Sequence, residues 1–123
     1  MDVRLKRAYD PPGPGDGHRV LVDRIWPRGV SRERAAIDEW DRDLAPSDDL
    51  RTWFGHRPER FERFRRRYLE ELRGRRERLA ELRRRARAGP VTLVYSARDT
   101  EHNQAVVLAE AIRRGLPRSV SRS

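Results

Sequence analysis

Two runs of apolar residues constrain the fold of this chain more than any other feature of its sequence. In 123 residues of which 40% are charged, residues 20–22 (VLV) and 91–95 (VTLVY) contain no charged side chain. Such runs are typical of strands that are buried on both faces of a parallel sheet. Because helical patterns occupy the residues between them, they predict parallel pairing through a right-handed crossover. The predicted fold class is therefore α/β, with a small, mostly parallel sheet flanked by helices.

Residue periodicity predicts the remaining elements. Residues 2–8 alternate polar with apolar side chains and predict a first strand, and residues 19–26 predict a second strand that ends at Pro27. Ser and Pro at helix starts and Gly at helix ends supply the boundary signals. The predicted helices run from Ser31 to Ile37, from Ser47 to Phe54, from Pro58 to Leu72, through Leu79–Ala86, and through Ala105–Ile112.

Length and composition exclude several classes of protein. The chain fits one domain, predicted to span residues 1–114, with residues 115–123 as a flexible C-terminal tail. The absence of Cys excludes disulfides, thiolate metal sites and a cysteine nucleophile. No stretch approaches the length of a membrane span, so a cytoplasmic protein without a membrane partner is expected.

Positive charge is concentrated between Arg57 and Arg87. This region contains 14 Arg and 6 Glu, in a chain whose formal net charge is +9. Such a surface attracts nucleic acid and other polyanions. However, Arg and Glu at three- and four-residue spacings also stabilise a solvated helix. We favour the solvated helix, because no recognised nucleic-acid-binding motif is present.

Two polar loops follow the two apolar strands, at the edge where parallel sheets bind ligands. The first loop is DRIWPRG, residues 23–29. Its Arg24 and Arg28 can bind carboxylate or phosphate through paired hydrogen bonds, and Trp26 can stack on a planar ligand. Alternatively, Asp23 pairs with one of these arginines while Trp26 fills the core.

The second loop is SARDTEHN, residues 96–103. Free backbone amides near residues 101–103 could hold an anion while Arg98 supplies a formal charge. His102, in the first turn of a helix, is favoured in its neutral form and suits a general base.

Each polar side chain of this second loop also has a local structural interpretation. Asp99 or Thr100 is a natural N-cap. Asn103 can orient a ligand or bond the local backbone. Asp23 and Asp99 could form a carboxylate pair for acid–base catalysis if their strands are adjacent.

A third segment, WFGH, contributes Trp53, which either lines a pocket or belongs to the core. Neither a metal nor a cofactor is predicted. Asp48, Asp49 and His56 lack a known metal-ligand spacing, and the glycine-rich nucleotide motifs are absent.

The motifs WPRG, LAPS, WFGH and ARDxxHN, together with KRAYDPP near the start of the chain, closely resemble the YeaO-like branch of the family named domain of unknown function 488. The match runs from about Leu5 to Ile112. The resemblance implies that these segments are the family's recognisable features, but it implies no established activity. Other branches of the wider family carry cysteines near the last strand, where this chain has Tyr95. Their thiol chemistry is therefore not transferred.

These observations predict a pocket at the strand carboxyl ends that binds a small anionic or nucleotide-like ligand. Whether the protein also catalyses a reaction is left open, since such a pocket can bind without turnover. The predicted catalytic residues are His102, Asp23 and Asp99, and the predicted substrate-binding residues are Arg24, Trp26, Arg28, Trp53, Arg98 and Asn103. The alternative is a nucleic-acid-binding module that uses the Arg-rich face of residues 57–87. A pure interaction protein is a third possibility, which exposure of Trp40 would favour.

Overall fold

The sheet is parallel and has four strands in the described part of the chain. The computed structural model describes residues 1–117. Its strands are β1 (Val3–Arg7), β2 (His18–Leu21), β3 (Glu39–Trp40) and β4 (Val91–Tyr95), in the order β1-β4-β2-β3. Each neighbouring pair is parallel. The predicted α/β class and the pairing of the two apolar runs are confirmed.

Helices connect the strands and follow the predicted order. They are α1 (Arg32–Ala35), α2 (Asp48–Phe54), α3 (Phe61–Leu72), α4 (Arg76–Ala88) and α5 (Gln104–Arg114). The Ser31 and Ser47 side chains accept hydrogen bonds from the backbone N–H groups of Arg34 and Leu50, so both predicted N-caps are confirmed. Gly55 ends α2 in the left-handed conformation, with φ of 53°.

Helix boundaries differ from the prediction at several places. Helix α3 begins at Phe61 rather than Pro58, because Pro58–Arg60 form a 3₁₀ turn. Helix α1 ends at Ala35 rather than Ile37, because Ala36 adopts the left-handed conformation with φ of 48°. The guanidinium of the buried Arg19 donates hydrogen bonds to the carbonyls of Ala35 and Ala36. Helix α5 begins at Gln104, and its N-cap is Asn103 rather than Asp99 or Thr100. The Asn103 side chain accepts from the backbone N–H of Val106 at 3.1 Å.

The strand predictions were wrong at two places. Strand β2 ends at Leu21, although the bond from the Val22 amide to the Val94 carbonyl extends the pairing by one residue. Strand β3 was not predicted, because its two residues are too few to show a period. Its register is set by pairing of Leu21 with Trp40.

Alternate residues of the central strands supply two apolar clusters. Val20, Leu93 and Tyr95 belong to the larger cluster, which includes the buried side chains of α2 to α5. Leu21 and Val94 belong to a smaller one. Since successive strand residues point to opposite faces, both faces of the sheet are covered, which explains why these runs lack polar residues.

The end of the described chain lies against the core. Leu116 packs on the larger cluster, and Arg73 donates to the carbonyl of Pro117 at 2.7 Å. The rest of the predicted tail, residues 118–123, lies outside the described residues. Within residues 1–117, no helix has the length and apolarity needed to cross a membrane.

Candidate functional site

A cavity of about 310 Å³ opens at the carboxyl ends of β2 and β4. This is the edge at which parallel sheets bind ligands. Its lining residues are Tyr9, Asp23, Arg24, Ile25, Trp26, Pro27, Arg28, Ala45, Pro46, Arg51, Phe54, His56, Phe64, Ser96, Ala97 and Gln104. The loops DRIWPRG and SARDTEHN therefore meet in space, which the sequence alone could not establish.

Asp23 is the polar centre of the cavity floor. Because Leu21 pairs with Val94, Asp23 and Ser96 also lie beside each other, two residues further along their strands. The backbone N–H of Ser96 donates to Oδ2 of Asp23 at 3.0 Å, and the Ser96 hydroxyl donates to the same oxygen. The side-chain amide of Gln104 donates to Oδ1. Burial raises the pKa of Asp23 above its usual value, while the bonds from Ser96 and Gln104 and the nearby His56 oppose that rise.

Basic side chains surround the mouth of the cavity. Arg28, Arg51 and His56 are exposed, and Arg24 is half-buried. Arg24 and Arg51 approach the carboxylate of Asp48 at 3.5 and 3.4 Å. These ion pairs are weak, because the Asp48 side chain is 70% exposed. Within residues 1–117, the guanidinium of Arg28 has no acidic partner, although its carbonyl accepts from the Tyr9 hydroxyl.

Packed aromatic rings form the apolar walls. Trp26 contacts Trp40 edge-to-face, with ring centroids 5.4 Å apart, and its indole N–H donates to the Val30 carbonyl at 2.7 Å. Phe54 and Phe64 stack with their centroids 4.3 Å apart. Hydrogen bonds and ring contacts therefore fix the positions of these side chains.

Trp40 is half-buried, and its indole N–H donates to the carbonyl of Asp23 at 2.8 Å. The exposure that favours a pure interaction protein is therefore not observed. Within the described residues, the exposed large hydrophobic side chains are Met1, Tyr9 and Ile25. Two of these three residues, Tyr9 and Ile25, line the cavity.

The sequence analysis did not place Arg51, His56, Ser96 and Gln104 in the site. Ser96 and Gln104 could have been found from strand register, since Ser96 directly follows β4 opposite Asp23. His56 has φ of 57°, a conformation that is uncommon for residues other than Gly. Together with Gly55, it turns the chain after α2 so that the imidazole lines the cavity. No periodicity in the sequence indicates that turn.

The middle of the second loop points elsewhere. The Asp99 carboxylate accepts the backbone N–H groups of Glu101 and His102 at 2.9 and 3.0 Å, so the amides predicted to hold an anion already bond a carboxylate. These bonds and the His102 ring, 2.9 Å away, lower the pKa of Asp99. The His102 ring also packs edge-on against Phe61, with centroids 5.2 Å apart. Neither Asp99 nor His102 lines the cavity.

The remaining predicted residues are likewise outside the cavity lining. Asn103 is buried and bonds the Asp99 carbonyl at 2.8 Å while it caps α5. Arg98 is exposed. Trp53 is half-buried, and the guanidinium groups of Arg60 and Arg67 lie over its ring at 5.2 and 4.6 Å.

The pairing of Asp23 with Asp99 is not observed, although their strands are adjacent. Asp23 instead bonds Ser96 and Gln104. No group of three or more His, Asp or Glu side chains within residues 1–117 is arranged to hold a metal ion.

The Arg-rich region forms α3, α4 and the turns beside them. Several of its arginines are ion-paired. Arg65 bonds Glu110, and Arg78 bonds both Glu39 and Asp41. By contrast, three arginines of α3 line a broad groove of about 700 Å³ beside α2. They are Arg63, Arg66 and Arg67.

Comparison with known proteins places the chain in a family. The profile of a family described as the inactive DUF488-N3 subclade, DUF488-N3i, matches residues 2–122. The chain belongs to this family. The chain is also 43% identical over 116 residues to the uncharacterized protein YeaO of Escherichia coli strain K12, covering 92% of this chain and 98% of YeaO.

Mycobacterial proteins give similar matches. The chain is 44% identical over 110 residues to the uncharacterized protein Rv3073c of Mycobacterium tuberculosis strain H37Rv, covering 89% of this chain and 92% of the relative. The uncharacterized protein Mb3100c of Mycobacterium bovis gives the same values. No solved structure matches significantly. The predicted membership of the YeaO-like DUF488 branch is confirmed.

Proposed function

We propose that this DUF488-N3i protein binds a small anionic ligand in the cavity at the carboxyl ends of β2 and β4. The observation that supports the proposal is the arrangement of Arg24, Arg28 and Arg51 around the mouth of one preformed cavity. A guanidinium group binds phosphate or carboxylate through two parallel hydrogen bonds. The family's description as inactive favours binding without turnover over catalysis.

Asp48 indicates how an anion would bind. Its carboxylate lies beside Arg24 and Arg51, where it acts as a weakly held internal anion. A phosphate with more charge and more acceptor oxygens would displace it and bring both guanidinium groups onto one ligand. Arg28, which has no acidic partner in the described chain, would supply the third donor group. The nearby ring of Trp26 makes intrinsic tryptophan fluorescence a suitable reporter of binding.

Titration with inorganic pyrophosphate tests the proposal. We expect Arg28→Ala to weaken binding about tenfold, because a hydrogen bond to a charged group contributes on the order of 1.5–3 kcal/mol. The matched control is Arg84→Ala, which removes one exposed Arg of α4 that does not line the cavity. Equal losses in both variants would show that net charge, rather than the cavity, attracts the anion.

This proposal requires no role for five of the predicted site residues, because their side chains do not line the cavity. They are Trp53, Arg98, Asp99, His102 and Asn103. Retention of pyrophosphate affinity in Arg98→Ala would support that assignment. A loss of affinity as large as that in Arg28→Ala would show that SARDTEHN takes part in binding.

A second candidate is nucleic-acid binding by the Arg-rich surface, which the groove lined by Arg63, Arg66 and Arg67 favours. Glu70, Glu71 and Asp49 line the same groove, which weakens its attraction for a polyanion. This candidate predicts duplex or single-strand binding that falls steeply with salt and weakens in Arg66→Ala. Binding that is insensitive to that change would remove it.

A further inference from the structure

The cavity is polarised from its mouth to its floor. Arg28, Arg51 and His56 at the mouth are exposed, whereas Asp23 at the floor is only 7% exposed. A ligand that satisfies both ends must place its anionic group outside and a hydrogen-bond donor inside. This inference rests on the proposed function, since it assumes that the mouth binds the anion.

The free hydrogen-bond acceptors at the floor of the cavity indicate which donor group a ligand must carry. Oδ2 of Asp23 accepts two bonds from Ser96, so both of its lone pairs are used. Oδ1 accepts one bond from the Gln104 amide nitrogen and can accept one more. The amide oxygen of Gln104 accepts no hydrogen bond within residues 1–117. Every buried side-chain polar atom in that range has a partner, so this unpaired oxygen is not buried and is accessible to a ligand. Two neighbouring acceptors are thus available, which suits the two N–H groups of one amino group.

The walls and the size of the cavity define the rest of the ligand. Trp26, Phe54 and Phe64 give the cavity an aromatic lining that suits a flat, apolar group. A volume of about 310 Å³ is at the lower end of the range for small-molecule sites, roughly 300–1,000 Å³. One aromatic ring system with a sugar and one phosphate suits that space, and a dinucleotide does not.

We propose that the cavity binds a nucleoside monophosphate whose base has an exocyclic amino group. The amino group donates to Oδ1 of Asp23 and to the side-chain oxygen of Gln104. The phosphate lies at the mouth against Arg28 and Arg51. A keto group at the same position brings an oxygen against the Asp23 carboxylate and is disfavoured.

Binding of AMP and purine riboside monophosphate tests the assignment, because the second compound has hydrogen in place of the amino group. We expect AMP to bind at least about tenfold more tightly, since the unfilled acceptors are left without their donor. In Asp23→Asn, that ratio should fall to about one while the affinity for ribose 5-phosphate stays unchanged. Glu77→Gln, which changes an exposed carboxylate of α4 in the same way, should keep the wild-type ratio.

Each other outcome has a defined meaning. Equal binding of AMP, purine riboside monophosphate and ribose 5-phosphate would overturn the nucleotide assignment and leave the anion site intact. Failure of every phosphate compound to bind would overturn both proposals. An AMP preference that persists in Asp23→Asn would place the amino group elsewhere. Tighter binding of a 5′-phosphorylated oligonucleotide than of AMP would overturn the assignment to a free nucleotide.

Discussion

Asp23 is the residue at which stability and binding are expected to oppose each other. Its carboxylate accepts three hydrogen bonds, yet its burial still raises its pKa above the usual 3.8. A raised carboxyl pKa means that the folded state retains a proton that the unfolded state has released. Asp23 therefore lowers the stability of the fold as pH rises from about 3.8 through its pKa in the folded protein.

Asp23→Asn removes this titration. We expect the melting temperature of the variant, relative to that of the wild type, to increase as pH is raised from about 4 to about 7. Thermal unfolding followed by circular dichroism at a series of pH values measures the difference. A difference that is constant with pH would show that Asp23 ionises as easily in the folded protein as in the unfolded chain.

Asp99 is expected to behave in the opposite way. Hydrogen bonds from the Glu101 amide and from His102 lower its pKa, so its contribution to stability is present above pH 3.8 and is lost as pH falls through the lowered value. Asp99→Ala should lower the melting temperature at pH 7 and have a smaller effect near pH 3. The affinity of Asp99→Ala for pyrophosphate should equal that of the wild-type protein. Loss of affinity with an unchanged melting temperature would indicate a binding role instead of a structural one.

The two polar loops show what the sequence could predict at residue level. Asp23, Arg24, Trp26 and Arg28 were predicted correctly to lie at the strand carboxyl ends, because they directly follow a buried strand and no helix intervenes. In SARDTEHN, only the residues next to the strand reach the cavity. The Asp99 side chain accepts hydrogen bonds from the backbone N–H groups of Glu101 and His102 and closes a local turn. Such bonds depend on dihedral angles that residue types alone do not determine.

The turn after α2 is the element with the most direct effect on the cavity. Gly55 and His56 both have positive φ, at 53° and 57°. The left-handed conformation costs a side-chain-bearing residue about 1–2 kcal/mol, so the fold holds His56 in a strained position. Strain of this kind is common at binding sites, and here it brings the imidazole to the mouth of the cavity.

Substitution of His56 separates the backbone strain at this position from the contribution of the imidazole to binding. His56→Gly should leave the melting temperature unchanged or raise it slightly, because Gly adopts positive φ without the side-chain penalty. His56→Asn should also fold normally, since Asn tolerates this conformation. Both variants should bind pyrophosphate more weakly than the wild type, because each removes the imidazole that lines the mouth of the cavity. Wild-type affinity of both variants would exclude an interaction of His56 with the anion.

At the level of elements, predictability depended on length. The runs that became β2 and β4 and the amphipathic faces of α3 and α4 repeat over enough residues to show their periods. Strand β3 has two residues, and it exists because Leu21 of β2 pairs with Trp40. Its formation depends on the tertiary structure, so no local pattern could have predicted it.

The cavity is a property of the whole molecule, because distant parts of the chain form its lining. These parts are Tyr9 and the stretches 23–28, 45–64 and 96–104. Unfolding separates these stretches, so a ligand of the cavity binds the folded state alone. By linkage, pyrophosphate at a hundredfold excess over its dissociation constant should increase the free energy of unfolding by about 2.7 kcal/mol. In a chain of this size, each kcal/mol corresponds to roughly 3–6 °C in melting temperature.

Thermal unfolding with and without pyrophosphate therefore tests whether binding depends on the assembled site. At one fixed pyrophosphate concentration, the wild type and Arg84→Ala should show equal increases in melting temperature. Arg28→Ala should show a smaller increase, because its dissociation constant is larger. If calorimetry detects binding while the melting temperature does not change, the anion is bound equally well by the unfolded chain. The arginines of α3 and α4 would then be the binding groups, since they remain close together in sequence when the sheet has separated.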